Sequence, residues 1–194
     1  MKLLIVVDTQ NDFIDGALGS KEAQVAVPKI VERINNSDGE IILFTKDTHL
    51  PNYLHTFEGI NLPVEHCIEN TEGWRINRDI RHAWKNNPHT IYLNSNIYEG
   101  LEINNTVCKP TFGSVALMNV INELNKNLKF SDRIDTIEFC GFCTDICVIS
   151  NVLMIKALLP EIDIIVNSNL CAGVTPEKHE AALEVMKSCQ IEVI

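Results

Sequence analysis

The sequence lacks the features that would place it in a membrane or on a nucleic acid. Its 194 residues contain no apolar run long enough to span a bilayer, and Met1 does not open a basic and then apolar signal peptide. Basic residues are scarce, since 16 Lys and Arg stand against 26 Asp and Glu. A sequence-independent nucleic-acid binder needs a basic face to neutralise phosphates. We therefore expect a cytoplasmic protein with a small-molecule partner, and neither a membrane nor a nucleic-acid partner.

A disulfide framework and a closed structural metal site are also missing. The seven cysteines are an odd number, and they are scattered through strand-like and helix-like segments, which is typical of reduced thiols. Cys140, Cys143 and Cys147 are closely spaced, but the sequence offers no second paired cluster that would complete a structural zinc or iron–sulfur site. We interpret the three as one reactive thiol beside two structural ones.

Short apolar strands alternate with amphipathic helices along the chain. We predict strands at 2–7, 41–45, 90–93, 134–139, 162–166 and 191–194, and helices at 22–36, 77–85, 113–126, 145–159 and 176–188. This alternation predicts an α/β fold, a single domain over residues 1–194, with a parallel sheet covered by helices on both faces. Such sheets bind ligands at the carboxyl ends of their strands.

Cys147 lies in the run Gly141-Phe142-Cys143-Thr144-Asp145-Ile146-Cys147, where the fourth strand gives way to a helix. Thr144 or Asp145 can cap that helix. Cys147 then falls in the first turn, where unpaired N–H groups and the helix dipole favour a thiolate. The same N–H groups can hold an oxyanion. A buried apolar thiol explains this segment equally well.

The long connection over 48–88 and the residue before it are rich in metal-ligand side chains. A connection of this length inside a compact domain is usually functional. Asp47 and His49 share a face if the segment is extended, and His55 and His66 can come round on the loop. Any one of these histidines can equally be a turn or surface residue. Taken together, the four predict a catalytic site for a borderline divalent ion such as zinc, iron or manganese.

Two further charged residues flank this edge of the predicted sheet. Asp8 ends the first strand, where apolar surroundings would raise its pKa and let it move a proton, although a turn cap is the commoner role. Lys109 lies in a turn shaped by Pro110 and Gly113, where it can hold a thiolate or simply be solvated. Because Asp8, Asp47 and Cys147 all follow strands of one sheet, we expect them at the same edge.

In this order, the segments resemble the isochorismatase-like cysteine hydrolases over nearly the whole chain. The segments that carry the resemblance are Val6-Val7-Asp8-Thr9-Gln10-Asn11-Asp12-Phe13, the metal loop, the Lys109 turn and 141–148. Within that superfamily the metal loop is similar to that of nicotinamidases, which deamidate nicotinamide to nicotinate and ammonia during NAD salvage. The resemblance implies a three-layer α/β/α sandwich with a six-stranded, mainly parallel, Rossmann-like sheet.

The resemblance also implies roles for particular residues. Asp8, Lys109 and Cys147 would form the catalytic triad, which acts through a Cys147 thioester, and the backbone N–H groups of Cys143 and Cys147 would form the oxyanion hole after a cis peptide bond. Phe13 stands where the family stacks an aromatic ring on the substrate, although core packing explains it equally well.

The implied cofactor is one divalent metal ion, zinc before iron or manganese, held by Asp47, His49, His55 and His66. We also expect a homo-oligomer.

One departure from the nicotinamidase pattern concerns the substrate. Those enzymes commonly carry Trp-Pro-x-His-Cys, whereas this chain has Leu62-Pro63-Val64-Glu65-His66-Cys67, so that an aromatic wall is missing and Trp74 is the candidate replacement. An amidase acting on another small amide or carbamoyl compound therefore stays open. A non-catalytic thiol or metal sensor, with Cys143 and Cys147 as a redox pair, is less consistent, because sensing needs no positioned acid and base.

Overall fold

The protein was analysed as a computed structural model, which describes residues 1–129 and 133–194. The strands are β1 (Lys2–Val7), β2 (Ile41–Asp47), β3 (Thr106–Lys109), β4 (Thr136–Phe142), β5 (Asp163–Ala172) and β6 (Glu192–Val193). The helices are α1 (Asn11–Ile14), α2 (Lys21–Asn35), α3 (Phe57–Asn61), α4 (Arg78–Asn86), α5 (Val115–Asn127), α6 (Ile149–Leu158) and α7 (Pro176–Ser188). A 3-10 turn covers Tyr53–His55, and a π-helical turn covers Thr144–Val148. None of the described helices is both long and apolar enough to cross a bilayer.

The strands form one six-stranded sheet in the order β3-β2-β1-β4-β5-β6, and every adjacent pair is parallel. The predicted α/β fold with a parallel sheet is confirmed. The chain runs outward from β1 to β3 and then returns to β4 on the other side of β1. Since ligands bind where the strand order reverses, the carboxyl ends of β1 and β4 mark the expected site.

Helices cover the sheet, and its central strands β1 and β2 have no solvent face. β2 is buried along its whole length, and β1 is buried after its first residue. Helix α2 packs on α4, β4 and β5, whereas α5, α6 and α7 pack on one another and reach β3 and β5. The three longest of the described helices begin at a side-chain cap: Ser20 accepts from Ala23 N, Ser114 from Leu117 N, and Thr175 from Lys178 N.

The third predicted strand was wrong. Residues 90–93 are irregular, and β3 lies further along the chain. The buried Asn105 takes the place of a strand ladder, because its Nδ2 donates to Ile91 O at 2.8 Å and its Oδ1 accepts from Leu93 N at 2.8 Å. Lys109, for which the sequence predicts a turn, lies instead in β3. It is the last residue of a strand, paired in register with Asp47 on β2.

A close approach between β1 and β4 depends on Gly141. Its φ of 115° lies in the region that favours glycine, and a Cβ there would overlap the Val7 carbonyl oxygen. Only glycine lets the two strands meet this closely at their carboxyl ends. Asp8 is therefore brought directly beside the turn that carries Cys147.

Candidate active site

The structure brings Asp8, Lys109 and Cys147 together. Asp8 follows β1, Lys109 ends β3, and Cys147 lies in the π-helical turn after β4. Lys109 Nζ is 2.6 Å from Asp8 Oδ2 and 3.5 Å from Cys147 Sγ. The three side chains are almost fully enclosed, with 0% of Asp8, 1% of Lys109 and 4% of Cys147 exposed. A carboxylate, an ammonium and a thiol thus share one desolvated space.

Asp8 is held in a position where it can gain a proton. Its backbone has a φ of 47°, and Thr45 Oγ1 donates to its Oδ1 at 2.7 Å. Burial raises the pKa of Asp8, and the nearby charge of Asp47 adds to that effect. The Lys109 ammonium and the Thr45 hydrogen bond act in the opposite direction but do not cancel the rise in pKa. Asp8 is therefore a stronger base than an exposed aspartate.

Burial also raises the pKa of the Cys147 thiol well above its usual range. Lys109 lowers this pKa, whereas Asp8 and Asp47 raise it. Burial therefore opposes the thiolate that the position after a strand favours. Desolvation outweighs the stabilisation that the first turn and the lysine provide. A base must remove the proton, and Asp8 is the adjacent carboxylate.

Lys109 keeps its charge in this space. Burial alone would lower its pKa, but the charges of Asp8, Cys147 and Asp47 outweigh burial and raise it. Its Nζ is also 3.6 Å from Asp47 Oδ1. Lys109 therefore connects the thiol and its base with the metal-ligand residue Asp47 on the neighbouring strand.

The turn around Cys147 has an ordered main chain. The Phe142–Cys143 peptide bond is cis, as the family resemblance implies. The Cys143 carbonyl accepts from Ile146 N at 3.1 Å and from Val148 N at 3.0 Å, and Asn151 Nδ2 donates to the Cys147 carbonyl at 2.8 Å. These bonds fix the peptide units on both sides of the thiol. The assignment of the Cys143 and Cys147 N–H groups to an oxyanion hole stays a prediction.

Beside this triad, four metal-ligand side chains converge. One ligand atom from each of Asp47, His49, Glu58 and His66 lies within 4.8 Å of the others. Asp47 Oδ2 is 2.9 Å from His49 Nε2 and 3.4 Å from His66 Nε2. Glu58 Oε1 is 3.7 Å from His49 Nε2 and 3.8 Å from His66 Nε2. Two imidazole nitrogens and two carboxylate oxygens form a donor set suited to zinc, iron or manganese.

The structure corrects one member of the predicted ligand set. His55 is exposed at the end of the 3-10 turn and is absent from the cluster. Glu58, three residues later on α3, lies there instead. The helix explains the exchange, since Thr56 caps α3 by accepting from Gly59 N at 3.0 Å and thereby sets which face carries Glu58. The sequence shows that Glu58 lies in the loop, but no pattern in it indicates that the Glu58 side chain joins the metal-ligand cluster.

The electrostatics of the cluster favour a cation. Burial opposes protonation of His66, yet hydrogen bonding and charge from Asp47, together with Glu58, raise its pKa. Burial and the charge of Asp47 raise the pKa of Glu58. His66 Nδ1 faces Val64 O at 2.8 Å, so that a hydrogen on Nδ1 leaves Nε2 as the ligand atom. Two carboxylates match the charge of a divalent ion, the two imidazoles add nitrogen ligands, and these residues therefore fit the predicted metal.

Two residues that the sequence analysis did not assign hold the ligands in place. Gln10 Nε2 donates to Asp47 O at 2.8 Å, and its Oε1 accepts from Asp47 N at 2.7 Å. Asp12 Oδ2 accepts from the backbone N–H of Cys67, next to His66, at 2.7 Å. Both belong to the segment that follows β1. Their polar side chains, which directly follow an apolar strand, were the feature of the sequence that could have indicated this supporting role.

A cavity of about 400 Å³ opens beside Cys147, and we call it the substrate cavity. Phe13, Cys143, His66 and Glu58 line it together with Cys147. The Phe13 ring meets the His66 ring edge-on, with centroids 5.7 Å apart. Phe13 thus lies where the substrate-stacking prediction requires, and that role remains a prediction.

Trp74 does not take up its predicted place in the wall of this cavity. Its indole Nε1 donates to Thr48 Oγ1 at 2.9 Å, and Lys46 Nζ lies 2.7 Å from the centre of its ring. These contacts hold Trp74 behind the end of β2, beside Thr48. The wall that the missing tryptophan would form is therefore not rebuilt by Trp74.

Comparison with known proteins decides the family. The model of the isochorismatase domain matches residues 96–194, which include Lys109 and the turn of Cys147. The chain belongs to the isochorismatase family. The chain is an isochorismatase-like hydrolase, so the family and the α/β fold predicted from its motifs are both confirmed. No curated protein matches the chain.

Solved isochorismatase-like structures match over the full length, including the part before residue 96. The chain is similar to the pyrazinamidase of Pyrococcus horikoshii, solved in complex with zinc, at 25% identity and a TM-score of 0.71, over 100% of this chain and 98% of that one. A nicotinamidase of Bacillus subtilis also gives 25% identity and a TM-score of 0.71, over 99% and 98% of the two chains. The pyrazinamidase/nicotinamidase of Streptococcus mutans covers 100% of both chains with a TM-score of 0.75, and at 22% identity it shows the shared fold.

Proposed function

We propose that this isochorismatase-like hydrolase is a metal-containing cysteine amidase that converts nicotinamide to nicotinate and ammonia. The observation that carries the proposal is the contact of Lys109 Nζ with both Asp8 Oδ2 and Cys147 Sγ. This contact lies beside the metal-ligand cluster. The nicotinamidases and pyrazinamidases among its structural neighbours support the same reaction.

In the first half of the reaction, Asp8 accepts the proton of Cys147. Sγ forms a bond to the amide carbonyl carbon, and the carbonyl oxygen becomes an oxyanion that the N–H groups of Cys143 and Cys147 receive. When the C–N bond breaks, the nitrogen takes the proton back from Asp8 and leaves as ammonia. The acyl group remains on Cys147 as a thioester. Lys109 offsets the negative charge while the thiol has no proton.

The second half runs through the same groups. Asp8 accepts a proton from a water molecule, whose oxygen attacks the thioester carbonyl carbon. The C–S bond breaks, Sγ recovers the proton, and the carboxylic acid leaves. One amide and one water thus yield one acid and one ammonia, and the enzyme returns to its starting state.

Asp47, His49, Glu58 and His66 would hold the metal ion, and zinc is our first choice. When bound, it would supply a Lewis acid towards the substrate in the adjoining cavity. Asp47, Glu58 and His66 belong to the cluster and also line the substrate cavity, so the cluster lies at the cavity wall. With the ion bound, the cluster would orient one end of the substrate while Cys147 attacks the amide at the other.

We further propose that the protein works in the cytoplasm and forms a homo-oligomer. All seven cysteines are free thiols, and four of them are buried, which suits a reducing compartment. The small apolar cavity supports a small-molecule amide as the partner.

The proposal is tested by ammonia and nicotinate release from nicotinamide. The wild-type protein should release both in equal amounts, and Cys147→Ala should reduce the rate to background. Cys189→Ala removes an exposed thiol at the end of α7 and serves as the matched control with unchanged turnover. If the wild type leaves nicotinamide intact but hydrolyses other small amides, the substrate assignment fails. If Cys147→Ala retains full activity, the mechanism fails.

A further inference from the structure

A second concave surface lies next to the substrate cavity. It has a volume of about 770 Å³ and extends from the metal-ligand loop to the turn after β3, and we call it the outer groove. Its exposed apolar side chains include Leu50, Phe57 and Phe112, of which 59%, 87% and 45% are exposed. Exposed apolar area of this kind beside a catalytic cavity indicates a binding surface.

The two spaces share a wall. Glu58, Leu62, Phe112 and Ile146 line both the substrate cavity and the outer groove. Three of these four are apolar side chains, and Leu62 and Ile146 are only half-buried. A partition of half-buried side chains can move aside more readily than one of main chain or closely packed core.

The main chain on either side of this partition is anchored. Leu62 N donates to Glu58 O at 2.8 Å, and Tyr53 Oη donates to Leu62 O at 3.0 Å. On the opposite side, Asn151 Nδ2 donates to Phe112 O at 3.1 Å. The side chains of these residues therefore lie between the two spaces, whereas the main chain of Leu62 and Phe112 is held by hydrogen bonds.

We propose that the outer groove is an extension of the acyl-binding pocket and that it admits amides whose ring carries a neutral apolar substituent. The inference deepens the proposed function and rests on it. Its chemistry follows from the groove wall, where, among residues 1–129 and 133–194, Glu58 and His49 are the only acidic or histidine side chains, and both belong to the metal-ligand cluster. The other groove-lining side chains are apolar, hydroxyl or amide, so an uncharged aryl or alkyl group fits them better than a charged one.

The experiment compares kcat/KM for nicotinamide, 5-phenylnicotinamide and 6-phenylnicotinamide, with ammonia release as the readout. The wild type should hydrolyse at least one phenyl amide with a kcat/KM within about tenfold of that for nicotinamide. Leu62→Trp narrows the opening and should lower the ratio of phenyl amide to nicotinamide by about tenfold or more. Ile60→Trp adds the same ring to an exposed position of α3 outside both linings and should leave the ratio unchanged.

Phe112→Ala widens the opening and should raise that ratio, which keeps the test decisive if Leu62→Trp does not fold. Hydrolysis of nicotinamide with no turnover of either phenyl amide would overturn the groove proposal and leave the proposed function standing. Equal effects of Leu62→Trp on all three amides, or no effect of either wall variant on the ratio, would also overturn it. If none of the three amides is hydrolysed, the proposed function itself is refuted.

Discussion

Replacing Lys109 with methionine tests the enclosed ion pair that underlies the proposed mechanism. At an effective dielectric constant of about 20, Lys109 and Asp8 at 2.6 Å attract by about 6 kcal/mol. Desolvation of both ions offsets most of this, so that the pair itself contributes little net stability. Removing only the lysine is different, because Asp8 and Asp47 then remain buried without their shared cation. We expect Lys109→Met to lower the free energy of unfolding by about 3–5 kcal/mol.

Urea unfolding followed by circular dichroism, at one fixed zinc concentration, measures this loss as a lower midpoint at an unchanged slope. Lys187→Met is the matched control, because Lys187 Nζ also lies 2.6 Å from its partner Glu184 but half of the lysine side chain is exposed. Its unfolding curve should coincide with that of the wild type. The double variant Asp8→Asn with Lys109→Met should recover part of the loss, since no charge is left unpaired at Asp8.

The pH dependence of the Lys109→Met variant supplies a second check. Loss of the ammonium raises the pKa of Asp8 further above its value in the unfolded chain, because Lys109 is the main influence that lowers it. A raised folded-state pKa contributes stability below the unfolded pKa, and this is lost as pH rises through the folded pKa. The destabilisation should therefore be smallest in acid and grow towards neutral pH. A variant as stable as wild type at neutral pH would refute the role of Lys109 as the buried counter-charge.

The remaining predictions concern the metal-ligand cluster and the base. Glu58→Ala should weaken zinc binding by more than the roughly 10–100-fold that loss of an outer-shell partner costs, whereas His55→Ala should leave it unchanged in a calorimetric titration. Equal loss in both variants would restore His55 to the ligand set. Thr45→Val removes the hydrogen bond to Asp8 Oδ1 and should move the acid limb of kcat/KM to higher pH by about 1–2 units. An unmoved limb would mean that it reports a group other than Asp8.

Much of the site could be predicted because parallel sheets collect their functional residues at one edge. Asp8 follows one apolar strand, Asp47 ends the next, and the Cys147 run follows a third, so that spacing along the chain was sufficient to place all three together. The third strand was missed because β3 has only four residues with one aliphatic side chain among them, whereas the apolar stretch at 90–93 is held by Asn105. The weak strand pattern at 90–93 was overridden by the tertiary hydrogen bonds of Asn105.

The sequence by itself determined the fold class, the strand ends and the types of side chain delivered to them, because hydrophobic periodicity and the order of the chain dictate these features. The tertiary structure alone decided which loop residues meet. His55 and Glu58 are three positions apart, and the start of α3 selects the second. It also decided the direction in which the pKa of Cys147 shifts, since a pKa depends on burial and on charges that come from β1, β2 and β3 together. Such distances and desolvation exist only once the strands have assembled.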